Sequence, residues 1–315
     1  MLSESLLMAK ENPMGVGIGN WKIVFPTYLK NSLLSKESAR GNIIFQRPHN
    51  DFVWVLSETG IFGFFAYSTF FIFLLFYCIK TISLTKERHK KAFIVAILFS
   101  VLCYMIFSLF SYPKERPSHL AFLSILSGFI LSIQIERKGQ AYSKTGFFYS
   151  IFSVATFTAL LFFSYISYSS FIFHQNIKKI YRYHKINNST ALLKAYKSVE
   201  GSVFSLDDTS TPSSFYKSKA LLNQNKLEEA LIYIKTAYKS NPNHAYVLNT
   251  YGTILSRMNN NQEALGYFTK AIDIAPKYTD ALINLSRSYF NLNMFQEAYT
   301  TIDMVEHNPK NKNLL

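Results

Sequence analysis

Gly60 to Ile79 reads GIFGFFAYSTFFIFLLFYCI, twenty consecutive residues without an acidic or basic side chain. A helix needs about 20 apolar residues to cross the hydrocarbon core of a bilayer, since it rises only about 1.5 Å per residue. Three more stretches meet that criterion, Ala92–Phe110, Ser118–Ile135 and Gly146–Phe173. Four in succession predict a polytopic bundle of membrane helices. The class is therefore all-α, because a lipid-exposed segment must satisfy its own backbone hydrogen bonds.

Composition agrees with this reading. Only 17% of the 315 residues are charged, against roughly 25% in an average soluble domain, while 29 Phe and 21 Tyr exclude disorder and disfavour an ordinary soluble enzyme. The mean hydropathy of +0.08 averages two unlike halves, apolar up to about Phe173 and polar beyond it. A net charge of +14 is compatible with nucleic acid, an anionic membrane surface or a phosphorylated substrate, and the positions of the charges decide between them.

The loop after the first stretch holds Lys80, Lys86, Arg88, Lys90 and Lys91 against Glu87 alone. Short basic loops stay cytoplasmic. Alternation then places Ser111–Pro117 outside, the loop with Arg137, Lys138 and Lys144 inside, and both 1–59 and 174–315 outside. Lys178, Lys179, Arg182 and Lys185 follow the fourth stretch on the outer side, where charge beside a long translocated domain carries less weight. Much of the excess charge thus sets topology, and no nucleic-acid partner is expected. Residues 1–12 contain no apolar stretch suited to a signal peptide, so the topology leads to the expectation that further spans precede Met1. Cys78 and Cys103 lie inside apolar runs, which supports neither a disulfide framework nor a zinc site.

Beyond a stretch read as a linker, 174–210, the pattern acquires a period of 34. Ala230, Ala264 and Ala298 obey it, as do Ala237 and Ala271, Pro242 and Pro276, and Gly252 and Ser286. This resembles the tetratricopeptide repeat, in which small residues let two helices cross closely and Pro ends the second. Three copies are traced, about 211–244, 245–278 and 279 to the end, where Asn308-Pro309 falls one residue short of register. Such a solenoid offers a concave surface to a protein partner; a rigid spacer without a ligand is the alternative.

The chemistry-bearing residues precede the first span. Gly15-x-Gly17-x-Gly19 lacks the preceding strand and the spacing of a dinucleotide fingerprint, and reads as a flexible turn. His49 follows Arg47-Pro48, and Asn50 or Asp51 is placed to cap a helix continuing into the span. An imidazole at a helix entrance beside the lipid is suited to accept a proton from a hydroxyl near neutral pH.

Asn12-Pro13-x-Gly15-x-Gly17-x-Gly19-Asn20, then His49-Asn50 followed by Glu58-x-Gly60-x-x-Gly63, then Pro113 and Pro117 together resemble the O-antigen ligase and polymerase superfamily over residues 8 to about 135. The resemblance implies the C-terminal part of a larger bundle, in a bacterial inner membrane with 1–59 and 174–315 periplasmic. The upstream spans and an upstream Gly-Arg motif of that family are absent, which leads to the expectation of a truncated chain. The implied reaction moves a glycan from undecaprenyl diphosphate to a sugar hydroxyl, on lipopolysaccharide core for a ligase or on another glycan for a polymerase. In this assignment His49 is the general base, while Arg47, Lys114 and Arg116 bind diphosphate or glycan; anchoring to membrane lipid headgroups is the alternative role of Lys114 and Arg116. Asn50 and Glu58 position the site, and His119 is an additional candidate. Arg suits diphosphate because its planar fork binds oxygens in pairs. No acidic cluster suits a divalent metal, and no cofactor is expected. The rival reading is a non-enzymatic membrane anchor displaying a repeat scaffold.

Overall fold

The computed structural model describes residues 1–29, 45–137 and 146–306. Lys138, Lys144 and the expected register break at Asn308-Pro309 lie outside them. Among the described residues every regular element is a helix, apart from one isolated antiparallel bridge between Leu206 and Pro212. The helices are α1 (Leu2–Glu11), α2 (Trp21–Val24), α3 (Asp51–Leu84), α4 (Arg88–Phe110), α5 (Pro117–Arg137), α6 (Gly146–Lys185), α7 (Ser189–Tyr196), α8 (Ser213–Asn223), α9 (Leu227–Ser240), α10 (Ala245–Arg257), α11 (Asn261–Ile274), α12 (Thr279–Asn291) and α13 (Phe295–Glu306). The chain forms two compact units. One contains the described residues of Met1–Trp21 and Gln46–Phe157, and the other those of Lys22–Phe45 and Thr158 onward.

In the first unit α3, α4 and α5 share a core of Phe71, Leu74 and Cys78 against Ile94, Ile97, Val101 and Tyr104, closed by Leu123, Leu126 and Ile130. The spacing within each set follows the helical turn, so each helix buries one stripe. The remaining faces are apolar too, with Phe62, Ile72 and Phe99 each more than three-fifths exposed. Apolar surface on that scale marks a membrane or a partner rather than water. Among the described residues three helical segments, Asp51–Leu84, Arg88–Phe110 and Ser153–Lys185, are long and apolar enough to cross a bilayer. In the third of the expected stretches the described apolar run is Pro117–Ile133, within a helix that continues to Arg137.

The second unit stacks three helix pairs, α8 with α9, α10 with α11, and α12 with α13. The alanines of the 34-residue pattern sit where paired helices cross: Ala230, Ala237, Ala264 and Ala271 are fully buried and Ala298 nearly so. Each first helix carries a small residue facing the second. Ser218 donates to the Ala230 carbonyl at 2.8 Å and Ser286 to the Ala298 carbonyl at 2.8 Å. Between them Gly252 lies against the Phe268 ring, where a Cβ would come within 2.7 Å. The turn inside each pair uses Asn225, Asn259 and Asn293, all left-handed at φ 59–61°, a conformation that Asn tolerates at helix C-termini.

The stretch 174–210, expected as a linker, contains helical segments. Helix α6 continues to Lys185, and α7 follows it. Phe173, Ile177, Ile180, Leu192, Tyr196 and Val199 are buried in the same core as Phe215, Leu221 and Ile234 of the repeats. A solenoid exposes the apolar side of its first repeat unless a flanking element covers it, and these helices provide the cover.

Candidate functional site

The site is built on the first turn of α3. Asn50 is its N-cap, with Oδ1 accepting the Val53 N–H at 2.9 Å. The same side chain donates through Nδ2 to the Leu109 carbonyl at 3.0 Å, tying the start of α3 to the end of α4. Asp51 is fully buried, and its Oδ2 accepts the Lys114 backbone N–H at 2.9 Å while Oδ1 has no partner. These bonds pin the α4–α5 connection across the entrance of α3.

Tyr112, on that connection, gathers three of the residues singled out in the sequence. The His49 ring meets it edge-on at 5.3 Å. The guanidinium carbons of Arg47 and Arg116 lie 4.5 and 5.4 Å from its centre, within cation–π range. Arg47 also pairs with Glu115, whose hydrogen bond raises the Arg47 pKa against the opposing effect of burial. His49 is exposed and holds a left-handed backbone at φ 56°, a strained geometry for a side-chain-bearing residue that costs on the order of 1 kcal/mol. Lys114 points elsewhere, with Nζ 3.7 Å above the Trp54 ring. Burial pushes its ammonium below the usual lysine value, opposed by the carboxylates of Glu58, Asp51 and Glu115.

A second layer involves the glycine-rich segment, and its reading as a flexible turn is corrected. Gly60 interrupts α3 at φ 69°, ψ −166°. The polar groups released there are taken up by the segment: Ile61 N–H donates to the Pro13 carbonyl at 3.0 Å, Val16 N–H to the Ser57 carbonyl at 2.9 Å, and Gly17 N–H to the Glu58 carbonyl at 2.9 Å. Such proximity requires bare backbone on both sides. A Cβ on Gly15 would come within 2.4 Å of the Glu58 carbonyl oxygen, and one on Gly60 within 2.4 Å of the Met14 carbonyl carbon. Glu58 completes the lock, since its Oε1 accepts the Trp21 N–H at 3.2 Å, and the Trp21 indole donates to Ser5 Oγ at 3.0 Å.

The structure thus brings Arg47, His49 and Arg116 together and gives Lys114 a separate aromatic partner. The side chains of Asn50 and Glu58 hydrogen-bond to backbone groups rather than to the His49 ring. His119 stacks on Phe107 at 5.8 Å instead of joining Tyr112. Sequence reasoning missed Tyr112, Glu115 and Trp54, and named Asp51 only as a possible cap rather than as the acceptor of the Lys114 N–H. An aromatic residue one proline before the alternating Lys114-Glu115-Arg116 was the available signal for Tyr112. Chemically, two guanidinium groups flanking one ring beside an exposed imidazole make a place for an anion next to a proton acceptor.

Comparison with known proteins bears on the second unit. No curated protein matches the chain. The crystal structure of MamA is similar to it at 15% identity, with a TM-score of 0.40, over 45% of this chain and 81% of that one. Two family models, each described as a tetratricopeptide repeat, match residues 215–244 and 255–313. The C-terminal part of the chain carries tetratricopeptide repeats.

Proposed function

We propose that the chain acts as an O-antigen ligase-like membrane glycosyltransferase that moves a glycan from undecaprenyl diphosphate to a sugar hydroxyl of lipopolysaccharide or a related acceptor. The convergence of Arg47, His49 and Arg116 on Tyr112, at the entrance of a helix able to cross a bilayer, carries this reading. In the proposed reaction the acceptor oxygen bonds to the anomeric carbon, the bond from that carbon to the diphosphate breaks, and the hydroxyl proton passes to His49. Arg47 and Arg116 take up the charge on the leaving diphosphate, Arg47 exchanging Glu115 for it. A polymerase using another glycan as acceptor employs the same residues, and the acceptor consumed in an in vitro transfer assay separates the two.

His49→Ala is expected to lower transfer by about 10²–10⁴-fold, the usual contribution of a general base, with insertion unchanged. Glycan attachment at the wild-type rate overturns the assignment. Arg47→Lys is expected to impair turnover, because an ammonium makes no two-point contact.

The repeats favour a second reading, a membrane-anchored scaffold for protein assembly. A specific partner captured by the second unit, with no glycan defect when the spans are deleted, supports it. The captured segment must begin before Phe173, since a cut near Leu206 removes Ile177, Ile180 and Leu192 from the core.

A further inference from the structure

At the end of α3 remote from Asp51, the hairpin into α4 overhangs an open cavity of about 800 Å³. Its rim is basic, formed by Lys86, His89 and Lys90, and its wall is apolar, formed by Phe93, Phe129 and Ile133 of α4 and α5. Phe93 and Phe129 meet edge to face at 5.6 Å, and each is 48% exposed. Glu87, also on the rim, is paired with Lys90 at 3.1 Å. Across residues 80–91 it is the single acid against Lys80, Lys86, Arg88, Lys90 and Lys91.

The two halves of this cavity ask for different chemistry. A soluble anion satisfies the rim and leaves the two phenylalanines as they are, whereas an acyl chain alone leaves a net positive rim, in which the one carboxylate, Glu87, is paired with Lys90. An amphiphile with an anionic head satisfies both, and its position fits: Gly60 to Leu84 spans about 36 Å as a helix, so the hairpin lies near the far boundary of a bilayer about 30 Å thick. We infer that the cavity between the α3–α4 hairpin and α5 binds an anionic phospholipid, its phosphate at Lys86 and Lys90 and an acyl chain along Phe93, Phe129 and Ile133. The site rests on the membrane reading of α3 and α4 and shares no residue with the proposed glycosyltransferase site.

The test uses the full chain purified in detergent, titrated with dioleoyl phosphatidylglycerol or dioleoyl phosphatidylcholine and followed by thermal unfolding and native mass spectrometry. Phosphatidylglycerol is expected to raise the melting temperature and to remain bound, and phosphatidylcholine to do neither to the same extent. The double variant Lys86→Gln/Lys90→Gln is expected to weaken phosphatidylglycerol binding about thirtyfold, from about fivefold per basic residue near an anionic headgroup. Phe129→Trp, which fills the slot and leaves the charges in place, is expected to lower lipid occupancy as well, and its circular dichroism shows whether it has folded. Equal stabilisation by both lipids, an unchanged affinity in the double variant, or the same stabilisation by inorganic phosphate alone overturns the proposal.

Discussion

Replacing Gly60 by alanine tests whether the glycine-rich segment and α3 are locked backbone to backbone. Gly60 sits at φ 69°, ψ −166°, a region essentially restricted to glycine that costs another residue about 1–3 kcal/mol. The added Cβ would lie 2.4 Å from the Met14 carbonyl carbon, 2.5 Å from the Pro13 oxygen and 2.7 Å from the Gly15 nitrogen. All three are main-chain atoms, so no rotamer change relieves the overlap and the segment itself must move. Movement breaks the 3.0 Å bond from Ile61 N–H to Pro13, worth about 1 kcal/mol net. The combined loss is about 3 kcal/mol. Trp21, 1% exposed and bonded to Glu58 and Ser5, reports the event directly. In a Trp54→Phe background, acrylamide should quench Trp21 fluorescence more strongly in Gly60→Ala, and the melting temperature should fall. Gly19→Ala is the control: it is left-handed at φ 80° but has open space around its Cβ, so it should incur only the conformational cost of about 1–2 kcal/mol. An unchanged Trp21 and melting temperature in Gly60→Ala, or an equal loss in Gly19→Ala, refutes the close-approach argument.

Asn50→Ala should destabilise the first unit by about 1–2 kcal/mol, from the lost cap and the lost bond to Leu109. Asn50→Asp should recover the cap part alone, which thermal unfolding of both variants resolves. In the second unit, burial pushes the His244 imidazole down to about 4, with the charge of Asp207 opposing. The unfolded chain then binds the extra proton between pH 6.5 and 4 and the folded one does not. Repeat stability should be fully present above pH 6.5 and fall by up to roughly 3 kcal/mol as pH drops to 4. Unfolding followed by circular dichroism from pH 7 downward checks this, and His244→Gln should remove that part of the slope.

Two parts of the molecule were legible because their signals are local and periodic. An apolar run long enough for a bilayer reads as a helix whatever lies beside it, and positions 34 apart identify paired helices because each pair repeats the same crossing. Asn225, Asn259 and Asn293 carry that period too, and their left-handed turns were equally available from the sequence. The N-cap of α3 was narrowed to Asn50 or Asp51, and Asn50 fills it.

The rest depended on which distant segments meet. Gly15 and Gly60 look like flexible residues in isolation; facing each other across 45 positions, they are where two backbones touch. Tyr112 is an ordinary interfacial aromatic until the Asn50–Leu109 and Asp51–Lys114 bonds bring it between Arg47, Arg116 and His49. Residues 174–206 show no repeat period, yet several of their apolar side chains complete the repeat core. The sequence by itself determined the all-helical class, the long apolar helices and the 34-residue repeat, since spacing along one chain records the face each helix must bury. Only the tertiary structure decided where Gly60 breaks α3, which side chains meet at Tyr112 and what covers the first repeat, because those follow from hydrogen bonds and contacts between residues far apart in the chain.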